Sequence, residues 1–137
     1  MTTSQQTCGC SCSDGPKLIF PCSGAADVGA LADQAARHLS RGGVGNMFCL
    51  AGIGGRVPGM IKGAEAASAV LAIDGCPIEC ARKTLEQAGI ADILHVKLAE
   101  LGFKKGQSPV TDEALARIAA KGAELLGGGA ASCCAAE

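Results

Sequence analysis

The chain has 137 residues, enough for one domain that buries roughly two-thirds of its unfolded surface. Its net charge of -1 and its lack of Trp and Tyr exclude the basic, aromatic surface that binds nucleic acid, so we expect no nucleic-acid partner. Aromatic residues make up only 2% of the chain, which leaves small aliphatic residues and glycine to build the core.

Predicted strands and helices alternate along the chain. Short apolar runs predict strands, and apolar residues at a period of 3.6 predict helices. In chain order the prediction is strand 17–21, helix 25–41, strand 46–51, glycine-rich loop 52–59, helix 58–67, strand 69–73, a helix from Pro77 that stops at Gly89, strand 93–98, and helix 112–126 capped by Thr111. This order predicts an α/β fold: one domain with a mostly parallel sheet of about four strands and helices on both faces, as in Rossmann-like three-layer proteins.

The stretch 73–80, IDGCPIEC, contains the most informative cysteines. Gly75 permits a sharp turn out of a strand, and Pro77 suits the first position of a helix, with Cys76 as its N-cap. Cys80 would then lie one helical turn beyond Cys76, so that both sulfurs point the same way. The helix dipole there would favour thiolate, the form that binds metal or attacks an electrophile.

Two further cysteines follow predicted strands. Cys22 comes directly after the first strand, and Cys49 lies near the end of the second. Because the carboxyl ends of parallel strands meet at one edge of a sheet, we expect Cys22 and Cys49 to lie near Cys76 and Cys80. Four thiolates can complete a tetrahedral zinc site, although Cys22 and Cys49 could also be ordinary buried residues.

The cysteines and the first residues of the chain indicate its cellular compartment. The chain has nine cysteines and begins MTTSQQ, without a basic and then apolar leader, and no apolar run approaches the roughly 18 residues of a membrane span. We therefore expect a cytoplasmic protein that does not bind membranes, in which cysteines serve metal binding or thiol chemistry more than disulfides. The expected partner is a metal ion, and the sequence leaves open whether a protein partner or a second copy binds.

Three motifs in this order resemble the DGC-domain family, which is classed by a presumed zinc site and named for an Asp-Gly-Cys element. They are PCSG at 21–24, CLAGIG at 49–54 and IDGCPIECA at 73–81, and the resemblance extends from about residue 18 to about residue 101. It implies zinc on Cys22, Cys49, Cys76 and Cys80, and it implies no reaction.

The flanking segments are predicted to be a flexible Cys-rich arm, residues 1–15, and a flexible tail, residues 128–137, around a domain at 16–127. Their closely spaced thiols suit Cu(I), zinc or a metalloid, which makes a second soft-metal site one alternative and thiols that merely oxidise the other. The cysteines concerned are Cys8, Cys10, Cys12, Cys133 and Cys134.

Other candidate residues give weaker signals. The glycines at 52–55 lack the third glycine of a dinucleotide fingerprint, since position 57 is Val. His38 and His95 are predicted to lie away from the strand-end edge, as solvated or core residues. Asp74 and Gly75 are predicted to lie beside the metal ligands, where Asp74 could accept a hydrogen bond, act as a base or simply stabilise the turn.

These features favour a small zinc-binding protein whose four-cysteine site is structural or holds and transfers metal. Iron is also compatible with four sulfurs. The alternatives are a zinc- or thiol-dependent enzyme that uses Asp74, or a redox protein in which Cys76 and Cys80 cycle through a disulfide.

Overall fold

The structure is a computed structural model that describes residues 15–127. Its strands are β1 (Lys17–Pro21), β2 (Asn46–Met47), β3 (Ala69–Asp74) and β4 (Ile93–Lys97). They form one four-stranded sheet in the order β2-β1-β3-β4, and every pair is parallel. The predicted α/β fold class is therefore confirmed.

Within residues 15–127, five α-helices cover the sheet. They are α1 (Asp27–Arg41), α2 (Leu50–Gly54), α3 (Pro58–Glu65), α4 (Cys80–Gln87) and α5 (Asp112–Leu125), and a single 3₁₀ turn spans Leu98–Leu101. The Thr111 side chain accepts a hydrogen bond from the Ala114 N–H and so caps α5 as predicted. Among residues 15–127, none of the helices has the length and apolar content that crossing a membrane requires.

Two apolar clusters, one on each face of the sheet, form the core. On one face α1 and α5 pack over Ile19, Leu71 and Ile73, and on the other α2, α3 and α4 pack over Phe20 and Ala72. The two central strands are buried on both faces, which explains why their sequences are almost continuously apolar. The helices on both faces complete the three-layer arrangement.

Strand β4 is one of the two edge strands of this sheet, and polar and apolar side chains alternate along it. Leu94 and Val96 belong to the cluster under α1 and α5, whereas Ile93, His95 and Lys97 project toward the side of α4. Two polar side chains of β4 therefore point toward the segment that joins β3 to α4.

The chain reverses its direction of winding between β1 and β3. From β1 the chain crosses by α1 to β2 on one side, whereas from β3 it crosses by α4 to β4 on the other. In open parallel sheets a crevice forms at the carboxyl ends of two such strands, and ligands bind there. Cys22 follows one of these strands and Cys76 follows the other.

The second predicted strand and the loop after it are partly wrong. Strand β2 ends at Met47, and α2 occupies Leu50–Gly54, where the prediction had strand and then loop. Tertiary contacts explain the difference, because the buried Ile53 anchors α2 against the sheet despite three glycines in the segment 52–55. The cysteine-rich arm and the tail lie outside the described residues, apart from Gly15.

Candidate functional site

All four predicted ligands lie at the carboxyl edge of the sheet. Cys22 follows β1, Cys49 is the residue before α2, Cys76 lies in the turn after β3, and Cys80 is the first residue of α4. The backbone N–H of Cys22 donates a hydrogen bond to the Ile73 carbonyl at 2.9 Å, which extends the ladder between β1 and β3 to this edge. Cys22 and Cys76 are half-buried, whereas Cys49 and Cys80 are exposed.

Three of these thiols line one cavity of about 480 Å³ at the point where the winding reverses. We call it the thiol cavity. Its wall contains Cys22, Cys76 and Cys80 together with Asp74, and Lys105 reaches it from the loop before α5. The rest of the wall comes from the loop and first turn of α1, from Gly75 and from Ile78, and it is mainly apolar.

Cys49 lines a neighbouring cavity of about 600 Å³ and not the thiol cavity. Cys22 belongs to the walls of both cavities and so connects the two groups of thiols. The side chains of Arg37 and Phe48 also border the neighbouring cavity. Within residues 15–127, no three His, Cys, Asp or Glu side chains are already gathered closely enough to hold a metal ion.

The predicted start of the helix after β3 is wrong. Residues 77–78 form a turn, and α4 begins at Cys80 instead of Pro77. Glu79 is its N-cap and has a φ of 59°, in the left-handed region, so a continuous helix from Cys76 to Cys80 is impossible. Cys76 and Cys80 are therefore not one helical turn apart, and the prediction of parallel sulfurs on one helix does not hold.

An ion pair between α4 and β4 stabilises the unusual conformation of Glu79. Its carboxylate lies 2.9 Å from the ammonium of Lys97, at the end of β4, and 3.6 Å from the guanidinium of Arg82. The Lys97 ammonium holds the pKa of the Glu79 carboxyl below its usual range, and Glu79 in turn raises the pKa of Lys97. Lys97 is far from Glu79 in the sequence, so local propensity alone could not place the helix start.

Asp74 is the polar centre beneath this turn and is only 1% exposed. Its carboxylate accepts the backbone N–H groups of Ala81 at 2.8 Å and of Arg82 at 3.2 Å, and therefore caps α4 from seven residues away. The same carboxylate lies 2.7 Å from Nε2 of His95. Since an ionised carboxylate can only accept, Nε2 is the donor. Asp74 thus stabilises the turn, one of the predicted roles, by fixing the first turn of α4, where Cys80 lies.

His95 is a residue of this region that the sequence-based prediction missed, as is Lys105. The side chain of His95 is 10% exposed and in contact with Asp74, whereas the prediction placed it away from this edge. Nδ1 of His95 is buried without a hydrogen-bond partner among residues 15–127. The alternation of polar and apolar residues along β4 was the signal that could have placed His95 on the α4 side. His38, in contrast, is exposed on α1, as expected.

Gly75 is needed for close packing more than for backbone freedom. A Cβ at this position would lie 2.7 Å from the carbonyl carbon and oxygen of Val28 in α1. The absent side chain lets the first turn of α1 approach β3 directly below the thiol cavity. Gly75 therefore brings the two walls of the cavity together, and its place beside metal ligands stays a prediction.

Asp27, at the start of α1, holds the loop that carries Lys105. One carboxylate oxygen accepts the N–H groups of Val28 at 2.9 Å and Gly106 at 2.8 Å, and the other accepts that of Ser108 at 2.8 Å. These bonds, first those from Gly106 and Ser108, lower the pKa of Asp27. Residues 104–108 are thereby fixed against α1, and Lys105 is held at the thiol cavity.

Comparisons with known proteins identify the family of the chain. The sequence model of the DGC-domain family matches residues 18–121, and the chain therefore belongs to this family. A curated relative, the anaerobic and virulence modulator AnvM of Pseudomonas aeruginosa, is 39% identical over 88 residues, which cover 64% of this chain and 67% of the relative. No solved structure matches the chain.

Proposed function

We propose that this DGC-domain protein holds a zinc ion on the thiols of Cys22, Cys49, Cys76 and Cys80 and passes it on to an acceptor. One observation carries the proposal: three of these thiols line the same cavity, at the edge where parallel sheets bind ligands. Cys22 also borders the cavity of Cys49, so the fourth thiol is adjacent to this group.

The chemistry of the donor set fits zinc. Four sulfur ligands suit a tetrahedral Zn²⁺ ion with Zn–S distances of about 2.3 Å, and soft sulfur ligands do not favour magnesium or calcium. Because the thiols are not gathered around one point beforehand, zinc binding would draw the Cys76 turn and the start of α2 toward Cys22. The thiol protons would be released as the metal binds.

Exposed ligands favour transfer of the metal over a purely structural site. Cys49 and Cys80 are exposed, so an incoming acceptor could reach the metal. The domain also has an apolar cluster on each face of its sheet, and its fold does not depend on a metal in place of a core. We therefore expect metal-free, reduced protein to keep its helical circular dichroism, unlike a small zinc finger, which unfolds without its ion.

The experiment distinguishes zinc bound by the four cysteines of the proposed site from zinc bound by the five cysteines of the flanking segments. The background is the full chain with serine at the flanking positions, and zinc is measured per chain in reduced, freshly purified protein. We expect one equivalent in this background, and less than about a tenth of that after Cys76→Ser or Cys80→Ser under competition with a chelator. The flanking positions are Cys8, Cys10, Cys12, Cys133 and Cys134.

The outcomes distinguish the alternatives. Full zinc retention in both the Cys76→Ser and the Cys80→Ser variants would overturn the four-cysteine site. Zinc that is lost when the flanking cysteines alone are replaced would assign the metal to those segments. Red or brown protein with iron, or a disulfide that reforms after reduction, would replace metal transfer by the redox alternative.

A further inference from the structure

The thiol cavity is much larger than a metal ion requires. Its volume is about 480 Å³, whereas one water occupies about 30 Å³ in the liquid. Pockets for small molecules span roughly 300–1,000 Å³. The cavity therefore has room for a molecule that accompanies the metal.

The lining of the cavity indicates the charge of that molecule. The carboxylate of Asp74 accepts hydrogen bonds from two N–H groups of α4 and from His95. These donors already balance its negative charge. Lys105 is the cation among the described lining residues, and its ammonium forms no ion pair within residues 15–127. The rest of the wall consists of thiols and apolar groups. An anionic group on a bound molecule would therefore form its ion pair with Lys105.

The position of Lys105 is fixed by the backbone. Two N–H groups of its loop donate to Asp27, and the Ser108 hydroxyl accepts from the Lys104 N–H and donates to the Lys104 carbonyl, both at 2.8 Å. The base of the lysine side chain is thus held against α1, the same helix whose first turn lines the cavity. The fold thus holds the backbone of Lys105 beside the cavity, and the exposed lysine side chain contributes to its wall.

We propose that zinc reaches this site as a complex with a small thiol that carries a carboxylate, and that the carboxylate pairs with Lys105. This inference rests on the proposed zinc function. In each exchange a bond from zinc to the carrier sulfur breaks and a bond from zinc to a cysteine sulfur forms. The proton of the cysteine thiol passes to the departing carrier thiolate, and zinc remains Zn²⁺ throughout.

The test compares two carriers with the same thiol. The zinc complexes of N-acetylcysteine and of its uncharged amide differ in the carboxylate alone. The rate of zinc transfer from each complex is measured for the wild type and for Lys105→Gln, with Lys104→Gln as the matched control. Lys104 lies next to Lys105 in the same loop, but its side chain does not line the cavity.

We expect the wild type to take zinc from the carboxylate carrier about two- to fivefold faster than from the amide, the range for a partly exposed ion pair. The ratio should fall to about one in Lys105→Gln and at high salt, and it should persist in Lys104→Gln. Equal rates from both carriers in the wild type, or an equal loss in the Lys104 variant, would overturn the role of Lys105 while leaving zinc binding intact. Failure of the wild type to take zinc from either carrier or from free Zn²⁺ would overturn the proposed function itself.

Discussion

Replacement of Asp74 by asparagine tests how the site is held together. The carboxylate is buried and accepts three hydrogen bonds, from Ala81, Arg82 and His95. In Asp74→Asn the remaining oxygen can serve Ala81. The new NH₂ group faces the Arg82 N–H and Nε2–H of His95, both of which are donors. The variant therefore loses a bond between a charged group and His95 and leaves one helix N–H without a partner.

The two losses set the expected magnitude. A hydrogen bond to a charged group contributes about 1.5–3 kcal/mol and a cap bond about 1 kcal/mol, so the free energy of unfolding should fall by about 3 kcal/mol. The assay is urea unfolding of reduced protein in the presence of a chelator, which keeps the result independent of zinc. Hydrogen exchange at the amides of Ala81 and Arg82 should accelerate, because these amides lose their acceptor.

A matched control and a double-mutant cycle make the test decisive. Asp92→Asn removes an exposed carboxylate and should change the free energy of unfolding by less than about 0.5 kcal/mol. In a His95→Ala background the effect of Asp74→Asn should be smaller by about 1 kcal/mol or more, because the two side chains are in contact. An effect of Asp74→Asn as small as that of Asp92→Asn would refute the assigned role of the carboxylate.

Two further predictions concern the walls of the thiol cavity. Gly75→Ala should reduce the free energy of unfolding by about 1–3 kcal/mol, since its Cβ would press on the Val28 backbone. Gly59→Ala, where a Cβ would meet nothing within 4 Å, should not reduce it, and equal losses in both variants by urea unfolding would contradict the packing argument. The lowered pKa of Asp27 means that its stabilising effect is present above the pKa of the unfolded state and is lost as pH falls through the lower folded value. In Asp27→Asn the free energy of unfolding should therefore fall less steeply as the pH is lowered. An unchanged dependence on pH in the acid range would show that the carboxylate does not hold the 104–108 loop.

The elements that the sequence predicted well are those with a strong local signal. The alternation of apolar runs with helical periods was sufficient for the α/β class, for β1, β3 and β4, and for the cap of α5 at Thr111. These predictions succeeded because burial on both faces of a parallel sheet requires nearly continuous apolar strands. The placement of Cys22 after β1 and of Cys76 after β3 followed from the same apolar runs, whereas the structure showed that these two strands are neighbours.

What the sequence could not determine depends on contacts between distant residues. The start of α4 at Cys80 follows from the left-handed Glu79, paired with Lys97, and from the Asp74 carboxylate, which caps the helix from the end of β3. Local preferences favoured Pro77, because a proline at the first helical position is common and these partners are invisible in a local window.

The sequence by itself determined which thiols belong to the carboxyl edge, since strand order along the chain is enough to bring parallel strand ends together. Only the tertiary structure decided how they divide, with Cys22, Cys76 and Cys80 around one cavity and Cys49 beside the next. The tertiary structure also decided the positions of His95 and Lys105. The register of β4 places His95 beside Asp74, and the hydrogen bonds from the 104–108 loop to Asp27 hold Lys105 at the cavity. Register and long-range hydrogen bonds are properties of the packed molecule, and no spacing between cysteines encodes them.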